Sequence, residues 1–354
     1  YIKEQTAKRE WPNKHKNEPI ENNPYRELPD MEIRTYNLGN LVKETFGDDA
    51  TFQFKEFFRT YQGSNITKEQ KGRFVHEEAV SNFLDLMCTE DENSHYPFST
   101  DEYRSFFNHT LWVVPGVKEA KALEELLNHH PVFGDFDAII NVAGSNDDDE
   151  TRSDALDKVK KKIGDYPEQT YTITISCGRL TTGVTVRPWT AVFYLKGSEN
   201  TSAATYMQTI FRVQSPYHYT DGDGNMQMKT KCYVFDFAPD RSLKMVAETA
   251  KFATLTQKEK SYAQAATSRE KDMENMDNFL SFCPVISMEG GKMVEFEANQ
   301  LFEQLEHVYV DRVVRNGFND NSLYDVRELM NLAPEELDDL NILGDEIGKT
   351  TNME

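Results

Sequence analysis

Apolar and polar positions follow two distinct patterns between residues 109 and 245. Short apolar runs, bounded by turn residues or polar segments, predict buried strands over 111–114, 136–142, 171–176, 191–195 and 232–237. Between them, apolar residues recur at helical intervals and predict helices over 118–129, 151–163 and 201–213. Strands that alternate with helices are typical of a parallel sheet that is covered on both faces. The pattern therefore predicts an α/β domain over 109–245.

The segments that flank this region have a different pattern. Residues 1–45 are polar and contain four prolines, which predicts a linker or extended arm, with a short alternating strand allowed over 31–36. Residues 46–108 are mixed, with helical spacing from 74 to 87, and predict a mostly helical lead-in or insertion. Residues 246–354 carry alternating charges typical of solvated helix faces. We therefore expect a helical C-terminal extension over 246–354.

Length, charge and cysteine spacing exclude several classes of protein. The 354 residues suffice for one large domain with an extension, or for two domains, and the formal net charge is -21. This acidity argues against an autonomous nucleic-acid binder, although it leaves room for a local basic track. The sequence has no apolar run of membrane-spanning length, no signal-peptide pattern and four widely spaced cysteines without a C-x-x-C. These features predict a cytoplasmic protein that has no membrane partner, zinc site or disulfide framework.

The block over 176–186 reads Ser-Cys-Gly-Arg-Leu-Thr-Thr-Gly-Val-Thr-Val and follows the predicted strand 171–176. Ligands of open α/β sheets bind beyond the carboxyl ends of strands. Gly183 allows a ligand to approach the backbone closely. Hydroxyl groups that can bond phosphate oxygens belong to Thr181, Thr182 and Thr185. A threonine-rich loop that only caps the next element explains this block alone equally well.

The block over 206–216 reads Tyr-Met-Gln-Thr-Ile-Phe-Arg-Val-Gln-Ser-Pro and lies in the predicted helix 201–213. Gln208 and Arg212 are four residues apart and share one face of that helix. An arginine presented in this way can stabilise charge during phosphoryl transfer, as an arginine finger does. The structural alternative is a surface arginine in a local ion pair.

Together and in this order, the two blocks resemble motifs V and VI of the second RecA-like domain of superfamily 2 helicases and translocases. Within that superfamily, 176–189 and 206–216 resemble the helicase subunits of restriction-modification and phage-defence systems. Residues 111–116 resemble the strand of motif IV, and 232–241 resemble the strand after motif VI. The resemblance covers 109–245 and implies a RecA-like parallel sheet.

The resemblance also implies roles for individual residues. Gln208 and Arg212 would be catalytic residues that face ATP across an interdomain cleft, with Arg212 as the finger. The nucleotide would also contact Gly183 and Thr185. The residues expected to contact the nucleic-acid backbone are Arg179, Thr181, Thr182, Pro115 and Gly116.

One departure from the superfamily pattern affects the expected arginine finger, Arg212. The wider pattern is Q-x-x-G-R-x-x-R, but Phe211 stands at the glycine and Ser215 at the second arginine. Either Arg212 works alone, or Arg179 or Arg187 assists, or catalysis is weakened.

The sequence contains no P-loop, because Gly348-Lys349-Thr350 lacks the first glycine of G-x-x-x-x-G-K-[ST]. We therefore expect ATP and Mg²⁺ to be bound mainly by an N-terminal RecA-like domain outside this sequence, as the first residue, Tyr1, also indicates. The 354-residue chain alone should then hydrolyse ATP poorly. We place no metal site in it, and we interpret the acidic run at 221–225 as a hairpin rather than a calcium loop.

Two hypotheses follow. The first is the C-terminal motor domain of an ATP-dependent DNA helicase or translocase of a restriction-modification or defence enzyme. Its expected partners are DNA, its own N-terminal RecA-like domain, and nuclease, methylase or specificity modules. The alternative is a non-catalytic RecA-like interaction module, which the acidic surface and the missing second arginine favour.

Overall fold

The structure is a computed structural model that describes residues 2–36, 54–90, 96–144, 151–197, 203–221, 223–238, 241, 277, 280–281, 283–289 and 292–295. Residues 1–242 and 282–295 form one compact unit, and residues 243–281 and 296–354 form a second. Most of the helical extension predicted over 246–354 lies outside the described residues, and so does Gly348-Lys349-Thr350.

The first unit is built on an eight-stranded sheet with the order β10-β9-β1-β8-β5-β2-β4-β3. Seven of these strands are parallel and only β10 is antiparallel. The strands are β1 (Asp30–Thr35), β2 (His109–Val113), β3 (Ala138–Asn141), β4 (Thr172–Ser176), β5 (Ala191–Tyr194), β8 (Lys231–Asp236), β9 (Val285–Glu289) and β10 (Lys292–Glu295). A separate hairpin consists of β6 (His218–Thr220) and β7 (Met226–Met228), as predicted for the acidic run.

Seven α-helices are described. They are α1 (Ile2–Lys14), α2 (Phe54–Phe57), α3 (Glu77–Met87), α4 (Asp101–Phe106), α5 (Val117–His129), α6 (Arg152–Ile163) and α7 (Ala203–Ile210). The helix spacing from 74 to 87 therefore corresponds to α3, and the lead-in segment contributes α2, α3 and α4.

The central strands form because their apolar and β-branched side chains are buried on both faces, as parallel sheets require. Every residue of β2, β4 and β5 is buried. On one face, aromatic rings pair across neighbouring strands: Trp112 stacks on Phe193 at 4.9 Å, and Phe193 stacks on Phe235 at 4.6 Å. Burying each such ring contributes about 2 kcal/mol. Side chains of α3 and α5 pack into the same core.

Helices lie on both faces of the sheet. The connection from β2 through α5 runs past β4 to β3, and the connection from β3 through α6 returns to β4. Because crossovers between parallel strands are right-handed, these opposite directions place α5 and α6 on opposite faces. The predicted parallel α/β sheet with helices on both faces is therefore confirmed.

Two parts of the sheet come from outside the region predicted to form it. Strand β1 lies between β8 and β9. It confirms the short strand allowed over 31–36, although the rest of 1–45 was interpreted as an arm. Strands β9 and β10 lie within 246–354, so the prediction of a wholly helical extension was wrong there. Both segments are short and partly polar, which gives a weak strand pattern. The pair Gly290-Gly291 between the last two strands is a hairpin signal that the helical interpretation missed.

The helix predicted over 201–213 ends earlier than expected. Helix α7 stops at Ile210, and residues Phe211–Gln214 form a 3-10 turn. The chain then becomes extended at Ser215, because Pro216 disfavours the helical conformation in the residue before it. Arg212 therefore lies on the tighter turn rather than on the α-helix.

Candidate functional site

The carboxyl ends of β2, β4 and β5 meet at one edge of the sheet. The amide of Val114 donates to the Ser176 carbonyl at 2.9 Å, and the amide of Leu195 donates to the Val113 carbonyl at 2.8 Å. The segment Pro115–Gly116 and the loop after Ser176 therefore leave the sheet side by side. This is the edge at which ligands of parallel α/β sheets bind.

The loop after β4 is held by its own polar groups. The Ser176 hydroxyl donates to the Arg179 carbonyl and accepts from the Gly178 amide at 3.1 Å. The Thr181 hydroxyl donates to the Gly178 carbonyl at 2.7 Å and is buried. Leu180 is buried in the left-handed region with φ 62°, a conformation that costs about 1 kcal/mol for a residue with a Cβ. Thr181 thus shapes the loop, and its hydroxyl is already engaged.

Two arginines from different elements lie against glycines at this edge. A Cβ placed on Gly183 would lie 3.0 Å from Nη1 of Arg152, and Gly183 itself has φ 66°. A Cβ placed on Gly144, just after β3, would lie 2.7 Å from Cζ of Arg179. Both glycines therefore allow a guanidinium to lie directly over the backbone.

Arg152 was not among the residues predicted from the sequence. It is the first residue of α6, whose start is fixed by a capping box between Thr151 and Asp154. The Thr151 hydroxyl accepts from the Asp154 amide at 3.2 Å, and the Asp154 carboxylate accepts from the Thr151 amide at 2.9 Å. This cap is visible in the sequence, but the approach of α6 to Gly183 depends on the tertiary fold.

Arg212 is joined to the same loop. Its Nη1 donates to the Val184 carbonyl at 2.8 Å, and its Nε donates to the Gln208 carbonyl at 2.9 Å. Val184 follows Gly183 directly, so Arg152 and Arg212 reach neighbouring residues of one loop. Both acceptors of Arg212 are neutral main-chain carbonyls.

The other predicted residues surround this arrangement. Gln208 and Thr185 are exposed, and Thr182 is half-buried. Pro115 and Gly116 are half-buried, and Gly116 is the residue that precedes the first turn of α5. Within the described part of the chain, the structure thus brings together the loop 176–189, Arg212, Arg152 and the start of α5.

Charges of both signs lie near the Cys177 thiol at this edge. Burial raises the pKa of this thiol; the charges of Lys196 and Arg179 oppose that rise, and the charge of Glu119 adds to it. The edge therefore carries basic side chains together with at least one carboxylate.

A cavity of about 470 Å³ lies at the opposite edge of the sheet. Its lining includes His109, Thr190 and Lys231, which lie at the amino ends of β2, β5 and β8. The loop 176–186 and Arg212 do not line it. Among the residues that the structure describes, no His, Cys, Asp and Glu side chains cluster as metal ligands would, and no helix has the length and apolarity to span a bilayer.

The chain was compared with known proteins, and no family model matches it. It is 27% identical over 352 residues to a Mycoplasma pneumoniae protein that is described as the C-terminal part of a type II restriction enzyme and methyltransferase. The match covers 95% of this chain and 45% of that protein, so the chain spans less than half the length of its curated relative.

Two solved structures are partly similar to this chain. Domain 2 of the DEAD-box helicase Mss116p, solved with an RNA duplex, has a TM-score of 0.30 and 11% identity, over 80% of this chain and 86% of that one. The ATP-dependent Type ISP restriction-modification enzyme LlaBIII, solved with DNA, has a TM-score of 0.36 and 9% identity, over 82% of this chain and 20% of that one. The sequence similarity to a restriction enzyme and methyltransferase agrees with the resemblance to restriction-modification proteins that the sequence predicts.

Proposed function

We propose that this chain supplies the second RecA-like motor domain of an ATP-dependent DNA translocase or helicase in a restriction-modification enzyme. The observation that carries the proposal is the bond from Arg212 Nη1 to the Val184 carbonyl. It connects the arginine expected to sense nucleotide with the loop expected to contact nucleic acid. The sequence similarity to a restriction enzyme and methyltransferase supports the same class.

Nucleic acid would bind along the loop side of the carboxyl edge. Arg152 and Arg179 lie over glycine backbone there, where a phosphate could reach their guanidinium groups. The Thr182 and Thr185 hydroxyls make no hydrogen bond in the described part of the chain and are available to phosphate oxygens. At Pro115 and Gly116 the start of α5 already holds the Glu119 carboxylate over the glycine backbone, so a phosphate would displace that carboxylate there.

Arg212 would act from the same loop toward ATP. A phosphate oxygen is charged and is a stronger acceptor than the neutral Val184 carbonyl, so exchange of one acceptor for the other is favourable. The exposed Gln208 side chain lies one turn earlier and would complete the contact. ATP and Mg²⁺ would be held mainly by the domain that carries the P-loop, while this chain contributes the charge that stabilises phosphoryl transfer.

A second candidate is a non-catalytic interaction module with the same fold. Ser215 replaces the second arginine of the motif, and Arg212 already has acceptors within its own unit. This candidate gains if neither the upstream reading frame nor a partner subunit encodes a P-loop.

The test is ATP turnover by this chain joined to its P-loop domain, with and without duplex DNA. We expect DNA to stimulate turnover, and we expect Arg212→Ala to lower kcat by about 10³-fold, the effect typical of losing an arginine finger. Arg73→Ala is the matched control, because Arg73 is an exposed arginine paired with Glu77 outside the site. Turnover that Arg212→Ala leaves at the level of Arg73→Ala would reject the proposed role.

A further inference from the structure

Lys229 is a buried lysine between the loop 176–189 and the turn 211–214, and it also lines the cavity at the amino edge of the sheet. It directly follows β7, and only 5% of the residue is exposed. Its Nζ donates to three main-chain carbonyls, those of Arg187 at 2.8 Å, Trp189 at 2.9 Å and Val213 at 2.8 Å. An ammonium group has three donors, so its hydrogen-bonding capacity is fully used.

The three carbonyls belong to two segments that are far apart in sequence. Arg187 and Trp189 lie in the loop between β4 and β5, and Val213 lies in the 3-10 turn that contains Arg212. Arg212 reaches back to the same loop through its side chain, at Val184. The turn that contains Arg212 is therefore connected to this loop twice, by its backbone through Lys229 and by the Arg212 side chain directly.

No carboxylate is among the acceptors of Lys229 Nζ in the described part of the chain. A buried ammonium without a counter-ion is retained only where dipoles compensate its desolvation, and three converging carbonyls do this. Burial lowers the pKa of Lys229 to about 8, so the group keeps its charge and all three donors at neutral pH. An apolar side chain would leave three carbonyls without a donor.

We propose that Lys229 is a positioning residue that holds the turn 211–214 against the loop 181–189 and thereby fixes where Arg212 can reach. This rests on the role proposed for Arg212. The hairpin β6–β7 delivers Lys229 to this place, and the Lys229 amide closes the hairpin by donating to the Tyr217 carbonyl at 2.9 Å. Because the lysine holds main chain, Arg212 can exchange Val184 for a phosphate without movement of the turn.

The first readout is hydrogen exchange measured by mass spectrometry on the whole 354-residue chain. Lys229→Met keeps the length of the side chain but removes its donors. We expect exchange over 181–189 and 211–214 to become about 10-fold faster, with α5 and α6 unchanged. Lys231→Met is the matched control, because Lys231 is an exposed lysine two residues later on β8, and it should leave exchange unchanged.

The second readout is DNA-stimulated ATP turnover of the chain joined to its P-loop domain. We expect Lys229→Met to lower kcat by about 10-fold while KM for ATP changes less than about 2-fold, since orientation rather than binding is lost. Lys229→Gln, which retains an N–H donor group, should recover part of both readouts.

The outcomes separate the inference from the proposed function. Faster exchange in Lys229→Met, with turnover that does not depend on Arg212, would remove the proposed function and leave Lys229 only a structural link. Unchanged exchange in Lys229→Met would overturn the inference whatever Arg212 does. If Lys229→Met and Lys229→Gln both fail to fold while Lys231→Met folds, the positioning role is also overturned, because the lysine then supports the whole unit.

Discussion

Basic side chains at the two edges of the sheet differ in their burial and in their hydrogen-bond partners. At the amino edge, His109 is buried and both ring nitrogens are engaged, Nε2 with the Pro167 carbonyl at 2.7 Å and Nδ1 with the Thr172 hydroxyl at 2.9 Å. At the carboxyl edge, Arg152 is exposed, and Arg212 is bonded only to neutral carbonyls in the described part of the chain. The amino edge thus holds a buried polar group with both partners in place, whereas Arg152 and Arg212 have no carboxylate partner among the residues that the structure describes.

The largest expected effect is a loss of folding stability in acid, which follows from the burial of His109 at the amino edge. Because the Pro167 carbonyl can only accept, Nε2 of His109 carries a proton. Burial lowers the pKa of His109 to about 4, below its ordinary value of 6.5. The unfolded chain therefore binds the proton more tightly, and the stability present above pH 6.5 is lost as pH falls toward 4.

That loss should reach about 3 kcal/mol in the free energy of unfolding. Urea unfolding between pH 7 and pH 4 measures it. His109→Gln should flatten this part of the profile, and His129→Gln, at the exposed end of α5, should leave it unchanged. A profile that His109→Gln does not flatten would show that the amino edge is not the acid-sensitive part of the fold.

The next prediction compares two glycines that have left-handed backbones. Gly183 has φ 66° and faces Arg152, whereas Gly224, in the β6–β7 hairpin, has φ 84° and open space around it. Substitution by alanine should cost about 1 kcal/mol of stability at either position, because the backbone strain is the same. Only Gly183→Ala should also weaken duplex DNA binding, which fluorescence anisotropy measures. Equal DNA affinity in the two variants would remove Gly183 from the interface.

The smallest expected effect concerns individual phosphate contacts. Arg152→Ala and Arg179→Ala should each reduce the slope of log affinity against log salt by about 0.9, the change expected for one lost contact with B-DNA. Arg9→Ala, on the exposed surface of α1, should leave the slope unchanged. Slopes that do not change in the first two variants would confine nucleic-acid binding to another surface.

Most of the sheet could be predicted from the sequence, because β2, β4 and β5 are buried on both faces and read as continuous apolar runs. Strands β1 and β9 were harder to place, since they pair with each other across most of the sequence, as Thr35 does with Ser287. The local sequence pattern of a strand does not indicate which distant strand it pairs with.

The candidate site likewise contains some residues that could be predicted from the sequence and others that could not. The loop 176–189 and Arg212 could be identified because each is a compact motif. Arg152 and Lys229 could not, since one is the first residue of a charged helix and the other follows a hairpin strand. Their positions arise only when the fold brings α6 and β7 to the loop. The Thr181 hydroxyl is the converse case, because the fold engages a group that the motif alone leaves available.

The most direct test of the whole account is ATP turnover measured against duplex DNA concentration, for this chain joined to its P-loop domain. We predict that Arg212→Ala lowers the plateau by about 10³-fold and that Arg152→Ala shifts the half-saturating DNA concentration upward while keeping the plateau. That separation would place nucleotide chemistry and DNA contact on two sides of one loop. If both variants moved only the half-saturating concentration, or if neither changed the curve, the account would be contradicted.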